Sequence, residues 1–94
     1  MAKMPKGRVT TPDGVMFREI GGEAVLLNLQ SESYFGLDEI GTRMWSALTE
    51  EPSIEAAYDV LLAEFDVEEE ALRADLSEFI ETLAEAGLVA VADA

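Results

Sequence analysis

The chain has 94 residues, 49% of them hydrophobic and 28% charged, which suits one folded domain with a single core. Because it contains no cysteine and no histidine, disulfides, the common zinc sites and the Ser-His or Cys-His arrangements of nucleophilic enzymes are excluded. A net charge of −14, from 20 acidic and 6 basic residues, opposes the phosphate contacts that nucleic-acid binding requires, so a neutral or basic partner is expected.

The first 13 residues carry turn-forming side chains and little hydrophobic pattern. They predict a flexible arm that ends in a turn near Gly14, with docking of part of the arm as an open alternative. The basic start, MAKMPKGRV, is not followed by the apolar segment of a signal peptide. No stretch approaches the roughly 18 consecutive apolar residues of a membrane-spanning helix. We therefore expect a cytoplasmic protein that binds neither nucleic acid nor membrane.

Three short strand-like runs follow the arm. Val15–Ile20 and residues 23–29 are rich in apolar residues, and Gly21 and Gly22 between them tolerate the positive φ of a tight hairpin turn. Polar residues 30–33 form the next turn, and residues 34–37 form a short third strand. The pattern predicts a three-stranded antiparallel meander, whose last strand leaves one row of backbone groups unpaired.

The hydrophobic period then changes from that of a strand to that of a helix. Asp38 is placed to cap a first helix that ends near Thr49, and Trp45 is expected in the core beside the apolar face of that helix. Ser53 is placed to cap a second helix. The apolar stripe of the second helix comprises Ile54, Ala57, Tyr58, Leu61, Leu62 and Phe65.

A third helix is predicted over about residues 67–86. Asp66 and Glu69 form a candidate capping box at its start, and Gly87 is placed to end it in the left-handed conformation. Its core stripe comprises Leu72, Leu76, Phe79 and Leu83. Beside that stripe lies a shoulder that is available to a partner, made of Arg73, Ile80 and Ala84.

Three antiparallel strands followed by three helices define an α+β domain of winged-helix type. We assign residues 14–91 to this domain, residues 1–13 to the flexible arm and residues 92–94 to a C-terminal tail. No catalytic residue, cofactor or metal ion is expected.

Six segments of the chain, in their order and spacing, match a known pattern over roughly residues 15–91. They are VLLNL (25–29), YFGLD (34–38), IGTRMW (40–45), LLAEFDV (61–67), RADL (73–76) and LAEAGL (83–88). In these segments the chain resembles the PqqD-like proteins, or RiPP recognition elements, which serve the biosynthesis of ribosomally made, post-translationally modified peptides. Residues 28–33 (NLQSES) depart from the proline-rich, Arg-containing stretch of members dedicated to pyrroloquinoline quinone. This segment is more similar to the corresponding segment of stand-alone members found with lasso-peptide clusters or with other radical-enzyme and cyclase clusters.

The resemblance implies a non-catalytic protein that binds the leader segment of a precursor peptide. The leader adds as a further strand beside the third strand and lies against the third helix, and the complex is presented to a leader peptidase, a cyclase or a radical SAM enzyme. If the backbone N–H of Phe35 faces the leader, proline at that position abolishes binding. The expected peptide-binding residues are Ser33, Tyr34, Phe35, Gly36, Leu37, Arg73, Leu76, Ile80, Leu83 and Ala84.

Two other classes of protein share some of these features. A winged-helix regulatory or protein-interaction module without a role in peptide maturation has the same fold, but DNA binding requires a basic recognition helix that this chain lacks. An acidic carrier protein has a similar size and charge, but it needs a serine in an Asp-Ser-Leu context, and that tripeptide does not occur. An enzyme is disfavoured, because carboxylates on solvated helix faces do not form a shaped site.

Overall fold

The computed structural model describes residues 4–92, which form five strands and three helices. In chain order these are β1 (Arg8–Thr10), β2 (Val15–Ile20), β3 (Glu23–Asn28), β4 (Ser33–Leu37), α1 (Glu39–Glu50), α2 (Ile54–Glu64), α3 (Glu69–Glu85) and β5 (Ala90–Ala92). Strands β2, β3 and β4 form an antiparallel sheet in that spatial order, and β1 pairs with β5 in a second sheet. The predicted α+β arrangement of a three-stranded sheet followed by three helices is confirmed, and the predicted third strand is β4.

The β2–β3 hairpin turns on Gly21 and Gly22, whose φ angles are 62° and 87°. Positive φ at both central residues is typical of a type I′ turn, which matches the twist of the strands it joins. Ile20 and Glu23 pair directly across this turn, so the glycine pair fixes the register of the hairpin. Leu26 consequently lies opposite Phe17 on one side and Phe35 on the other.

The two faces of the three-stranded sheet differ in burial. Ala24, Leu26 and Leu37 alternate onto the face that the helices cover, and all three are buried. Met16 and Tyr34 alternate onto the opposite, outer face, and both are exposed. The described residues therefore cover the sheet on one side.

Helix boundaries follow the predicted caps at two of three positions. Asp38 Oδ1 accepts a hydrogen bond from the Gly41 N–H at 2.7 Å, and Ser53 Oγ accepts one from the Ala56 N–H at 3.1 Å, so both N-caps are confirmed. The predicted Asp66–Glu69 capping box is wrong, because α3 begins after Glu68, which makes no side-chain cap bond. Residues 66–68 form a non-helical connection, so Asp66 precedes the N-cap position.

The core lies between the covered face of the sheet and the three helices. Trp45 is buried as predicted, and its ring stacks on Phe17 of β2 with centroids 5.8 Å apart and planes at 11°. The largest fully buried side chains come from β3, from the buried faces of α2 and α3, and from the segment after α3. They are Leu26, Ile54, Leu61, Leu76, Ile80, Leu83 and Leu88.

The segments near the two chain ends pair with each other, so part of the predicted arm docks on the domain. Thr10 pairs with Ala90 and Arg8 with Ala92, and Val9 and Met4 are both buried in the core. The Gly7 carbonyl also accepts a hydrogen bond from the Ile54 N–H at 2.8 Å, which ties the segment to the start of α2. Residues 1–3 of the predicted arm and 93–94 of the predicted tail lie outside the described residues.

Asn28 connects the β3–β4 turn to the end of α3. Its Nδ2 donates to the Gly87 carbonyl at 3.1 Å, while its Oδ1 accepts from the N–H groups of Gln30 and Ser31 at 3.0 and 3.2 Å. Gly87 adopts the predicted left-handed conformation, with φ of 75°, and the Leu88 N–H donates to the Leu83 carbonyl as in a Schellman motif. Asn28 thus positions the turn that leads into β4.

Replacing Asn28 with alanine is expected to lower the free energy of unfolding by about 1–2 kcal/mol, because three partly solvated hydrogen bonds are lost together. Urea unfolding followed by circular dichroism measures this change. Ser31→Ala is the matched control in the same turn, because the Ser31 hydroxyl contacts only that of Ser33, at 2.7 Å. Equal losses for the two variants would contradict a connecting role for Asn28.

Candidate functional site

Strand β4 is an edge strand, and two of its residues direct their backbone groups away from the sheet. The Leu29 N–H donates to the Gly14 carbonyl, so by alternation Glu23, Val25 and Leu27 of β3 face β2. The remaining β3 residues face β4, opposite Ser33, Phe35 and Leu37. The N–H and C=O groups of Tyr34 and Gly36 therefore point outward from the open edge.

The Phe35 N–H, by the same alternation, points to β3. Phe35 lies opposite Leu26, at a position where the two strands exchange hydrogen bonds. A proline at Phe35 would break the sheet itself, so that substitution does not report on a partner at the open edge. Gly36 offers a cleaner site, because a Cβ atom built there has no neighbour within 4 Å.

A groove of about 300 Å³ lies between β4, the start of α1 and α3. Its apolar lining consists of Phe35, Ile40, Met44 and Phe79. Its polar rim consists of Asp38, Asp75, Glu78 and Thr82. Ile40 is 57% exposed and Phe79 is half-buried, so apolar surface remains accessible in the groove. An apolar groove beside a free strand edge has the two parts that strand-addition sites use.

Gly41 allows the start of α1 to lie close to β4. A Cβ atom at Gly41 would lie 3.3 Å from Asp38 Oδ1 and 3.5 Å from the Leu37 side chain. Gly41 is itself buried in the first turn of α1 and lines the groove. Glycine is less favourable than alanine inside a helix, but at Gly41 the missing side chain leaves space for the Asp38 cap and for Leu37 at the end of β4.

The five predicted residues of β4 form one edge strand, of which Phe35 lines this groove, whereas the predicted α3 residues lie elsewhere. Leu76, Ile80 and Leu83 are 0%, 2% and 1% exposed, because α3 presents them to the core. They are covered in this structure and cannot present a side chain to a ligand without rearrangement of the core. Ala84 is exposed but does not line the groove.

Arg73 lies on the α2 side of α3 rather than at the groove. Its guanidinium stacks over the Tyr58 ring at 4.5 Å from the centroid, and its Nη1 lies 3.8 Å from Glu55 Oε1. The Tyr58 hydroxyl in turn donates to the Glu69 carbonyl at 3.2 Å. These contacts connect α3 to α2 and account for Arg73 without a ligand.

The face of α3 that lines the groove was missed by the sequence analysis. Asp75, Glu78, Phe79 and Thr82 line it at spacings of three, four and seven residues, which is one helix face. The sequence pattern assigns Phe79 wholly to the core stripe. The available signal is an aromatic residue with acidic residues at helical spacing beside it, Asp75 and Glu78.

The groove carboxylates lie apart from the cations of the described chain. Among residues 4–92 the ion pairs are Arg43 with Glu64, at 2.7 Å, and Arg73 with Glu55. The Glu64 carboxylate accepts hydrogen bonds from Arg43 and raises the pKa of that guanidinium above its ordinary value. Asp75 and Glu78 have no such partner in this part of the chain, so their charges face solvent at the groove.

A larger concavity of about 510 Å³ lies at the hairpin end of the sheet. Arg18, Ile20 and Val25 contribute to it from β2 and β3, and Gly36 borders it from β4. It lacks a facing helix, whereas the groove has α3. No cluster of three or more potential metal ligands occurs in residues 4–92, and no helix in that range has the length and apolarity needed to cross a membrane.

A three-stranded meander with an open edge, followed by three helices, defines a small winged-helix-like module with a candidate peptide-binding edge. Residues 23–89 match the family described as coenzyme PQQ synthesis protein D (PqqD). The chain belongs to this PqqD family, as its sequence pattern predicted.

Two solved structures share the fold at a TM-score of 0.80. TbiB1, in complex with the TbiA(beta) leader peptide, is 39% identical, and the match covers 88% of this chain and 98% of that chain. Lasso peptide synthetase B1, complexed with the leader peptide, is 19% identical, with 89% and 99% of the two chains covered, and it supports the fold alone. No curated protein matches this chain.

Proposed function

We propose that this protein binds the leader segment of a ribosomally synthesised precursor peptide by strand addition to β4, beside α3. The observation that carries the proposal is the outward pair of backbone groups at Tyr34 and Gly36, which adjoins an accessible apolar groove. Main-chain hydrogen bonds at such an edge supply affinity, and the groove supplies selectivity for alternate side chains. TbiB1, the 39% identical relative, forms a complex with the TbiA(beta) leader peptide.

The bound leader is then presented to a maturation enzyme: a leader peptidase, a cyclase or a radical SAM enzyme. This protein acts as a binding module without catalysis, in the cytoplasm. Residues 28–33 (NLQSES), which depart from the proline-rich stretch of members dedicated to pyrroloquinoline quinone, favour a lasso-peptide product over pyrroloquinoline quinone. A winged-helix regulator of DNA is disfavoured, because α3 carries a single cation, Arg73, among several carboxylates.

Fluorescence anisotropy tests leader binding directly. The labelled probes are the TbiA(beta) leader peptide and the leader of a short precursor encoded beside this chain's gene. Saturable binding of at least one leader is expected, with no saturation by a scrambled peptide of the same composition. Failure of both leaders to bind would overturn the proposed function.

A further inference from the structure

The groove combines an apolar floor with an acidic rim on one side. Phe79 and Ile40 leave accessible apolar surface, and Asp75 and Glu78 of α3 flank that surface as exposed carboxylates. The third rim carboxylate, Asp38, already accepts the Gly41 N–H as a helix cap. Asp75 and Glu78 are thus the two rim charges without a structural role among the described contacts.

Among residues 4–92, no Lys or Arg side chain, Lys6 and Arg8 included, forms an ion pair with Asp75 or Glu78. Arg43 and Arg73 are engaged by Glu64 and Glu55, and Arg18 projects from β2 onto the outer face of the sheet. The chain as a whole carries a net charge of −14. A negative potential in a groove with apolar walls favours a cationic ligand group.

The geometry of strand addition determines which side chains enter the groove. Successive residues of an added strand alternate between the two sheet faces, so every second residue lies on the same side as Phe35. A long side chain on that side crosses the apolar surface of Phe79 and Ile40 before it reaches the rim. Lys and Arg suit this path, because their alkyl stems pack on apolar surface while the charge reaches a carboxylate.

We propose that the groove selects a leader with Lys or Arg on its groove-facing side, with the alkyl stem on Phe79 and the charge beside Asp75 and Glu78. This inference rests on the proposed function and adds the class of side chain that the site prefers. The competing explanation is that the acidic face of α3 is solvated and serves solubility alone. That explanation predicts no dependence of affinity on a charge at any one leader position.

A positional charge scan separates the two explanations. Each residue of a leader that binds the parent protein, either the TbiA(beta) leader or the adjacent precursor leader, is replaced in turn by Lys, Gln or Glu. Affinities are measured for the parent, for Asp75→Asn/Glu78→Gln, and for the control Asp59→Asn/Glu81→Gln. The control removes the same two charges from exposed positions that do not line the groove.

At one groove-facing leader position we expect Lys to bind about three- to tenfold more tightly than Glu, the range for partly exposed ion pairs. In Asp75→Asn/Glu78→Gln this preference is expected to fall below about twofold, and in the control it persists. Raising the salt concentration reduces the preference in the parent protein.

A flat scan in the parent protein, or an equal loss of the preference in both double variants, would overturn the inference. Leader binding itself, and with it the proposed function, would stand. Absence of binding by the parent to both unsubstituted leaders would instead overturn the proposed function, and the inference with it. Circular dichroism checks that both double variants fold.

Discussion

Gly36→Pro is expected to weaken leader binding by about tenfold or more, with little loss of folding stability. The Gly36 N–H points out of the sheet, so proline removes a donor that only an added strand uses. One backbone hydrogen bond contributes about 0.5–1.5 kcal/mol net, and the proline ring also crowds the incoming strand. Nothing in the protein lies within 4 Å of the new Cβ position, and the ring Cδ replaces the N–H that points out of the sheet.

The matched control is Gly36→Ala, which adds a Cβ atom but keeps the N–H. Anisotropy titrations with the same leader compare the two variants, and urea unfolding checks that both are folded. Tyr34→Pro and Tyr34→Ala repeat the comparison at the second outward residue, whose side chain is 76% exposed on the outer face. Equal affinities for the proline and alanine variants at both positions would show that this edge does not pair with the leader.

Local patterns in the sequence were sufficient to predict the meander and two helix starts. The Gly21-Gly22 turn, the Asp38 cap and the Ser53 cap each depend on residues adjacent in the chain, and the structure contains all three. The β1–β5 pair could not be predicted in this way. Thr10 and Ala90 are 80 residues apart, and each strand is only three residues long, so neither segment has a pattern of its own.

The sequence was sufficient to predict the strand of the candidate site, but not which backbone groups and side chains that site exposes. The run SYFGL indicated β4, yet which of its N–H groups point outward depends on the register with β3, which the β2–β3 turn determines. The orientation of α3 is a second case. Periodicity identifies its apolar stripe, but contacts with α2, such as Arg73 with Tyr58, accompany the orientation that buries Ile80 and turns Phe79 toward β4.

Leu76→Ala is expected to lower folding stability without changing leader affinity, whereas Ile40→Ala is expected to lower leader affinity with little change in stability. Leu76 is fully buried, so truncation leaves a cavity and lowers the free energy of unfolding by about 2–5 kcal/mol. Ile40 is 57% exposed in the groove, so its truncation changes stability by less than about 0.5 kcal/mol. Binding a leader would bury the Ile40 side chain, and its loss should weaken affinity by about fivefold or more.

Both quantities are measured on each variant: unfolding in urea, and leader affinity under conditions where the protein remains folded. Leu76→Ala should retain the parent affinity once folding is accounted for, because Leu76 contacts the core rather than the groove. If Leu76→Ala instead lost affinity while Ile40→Ala kept it, the peptide would contact the stripe predicted from the sequence, and α3 would have to rotate or separate from the core on binding. The pair of variants thus distinguishes a leader that occupies the existing groove from one that opens the helix layer.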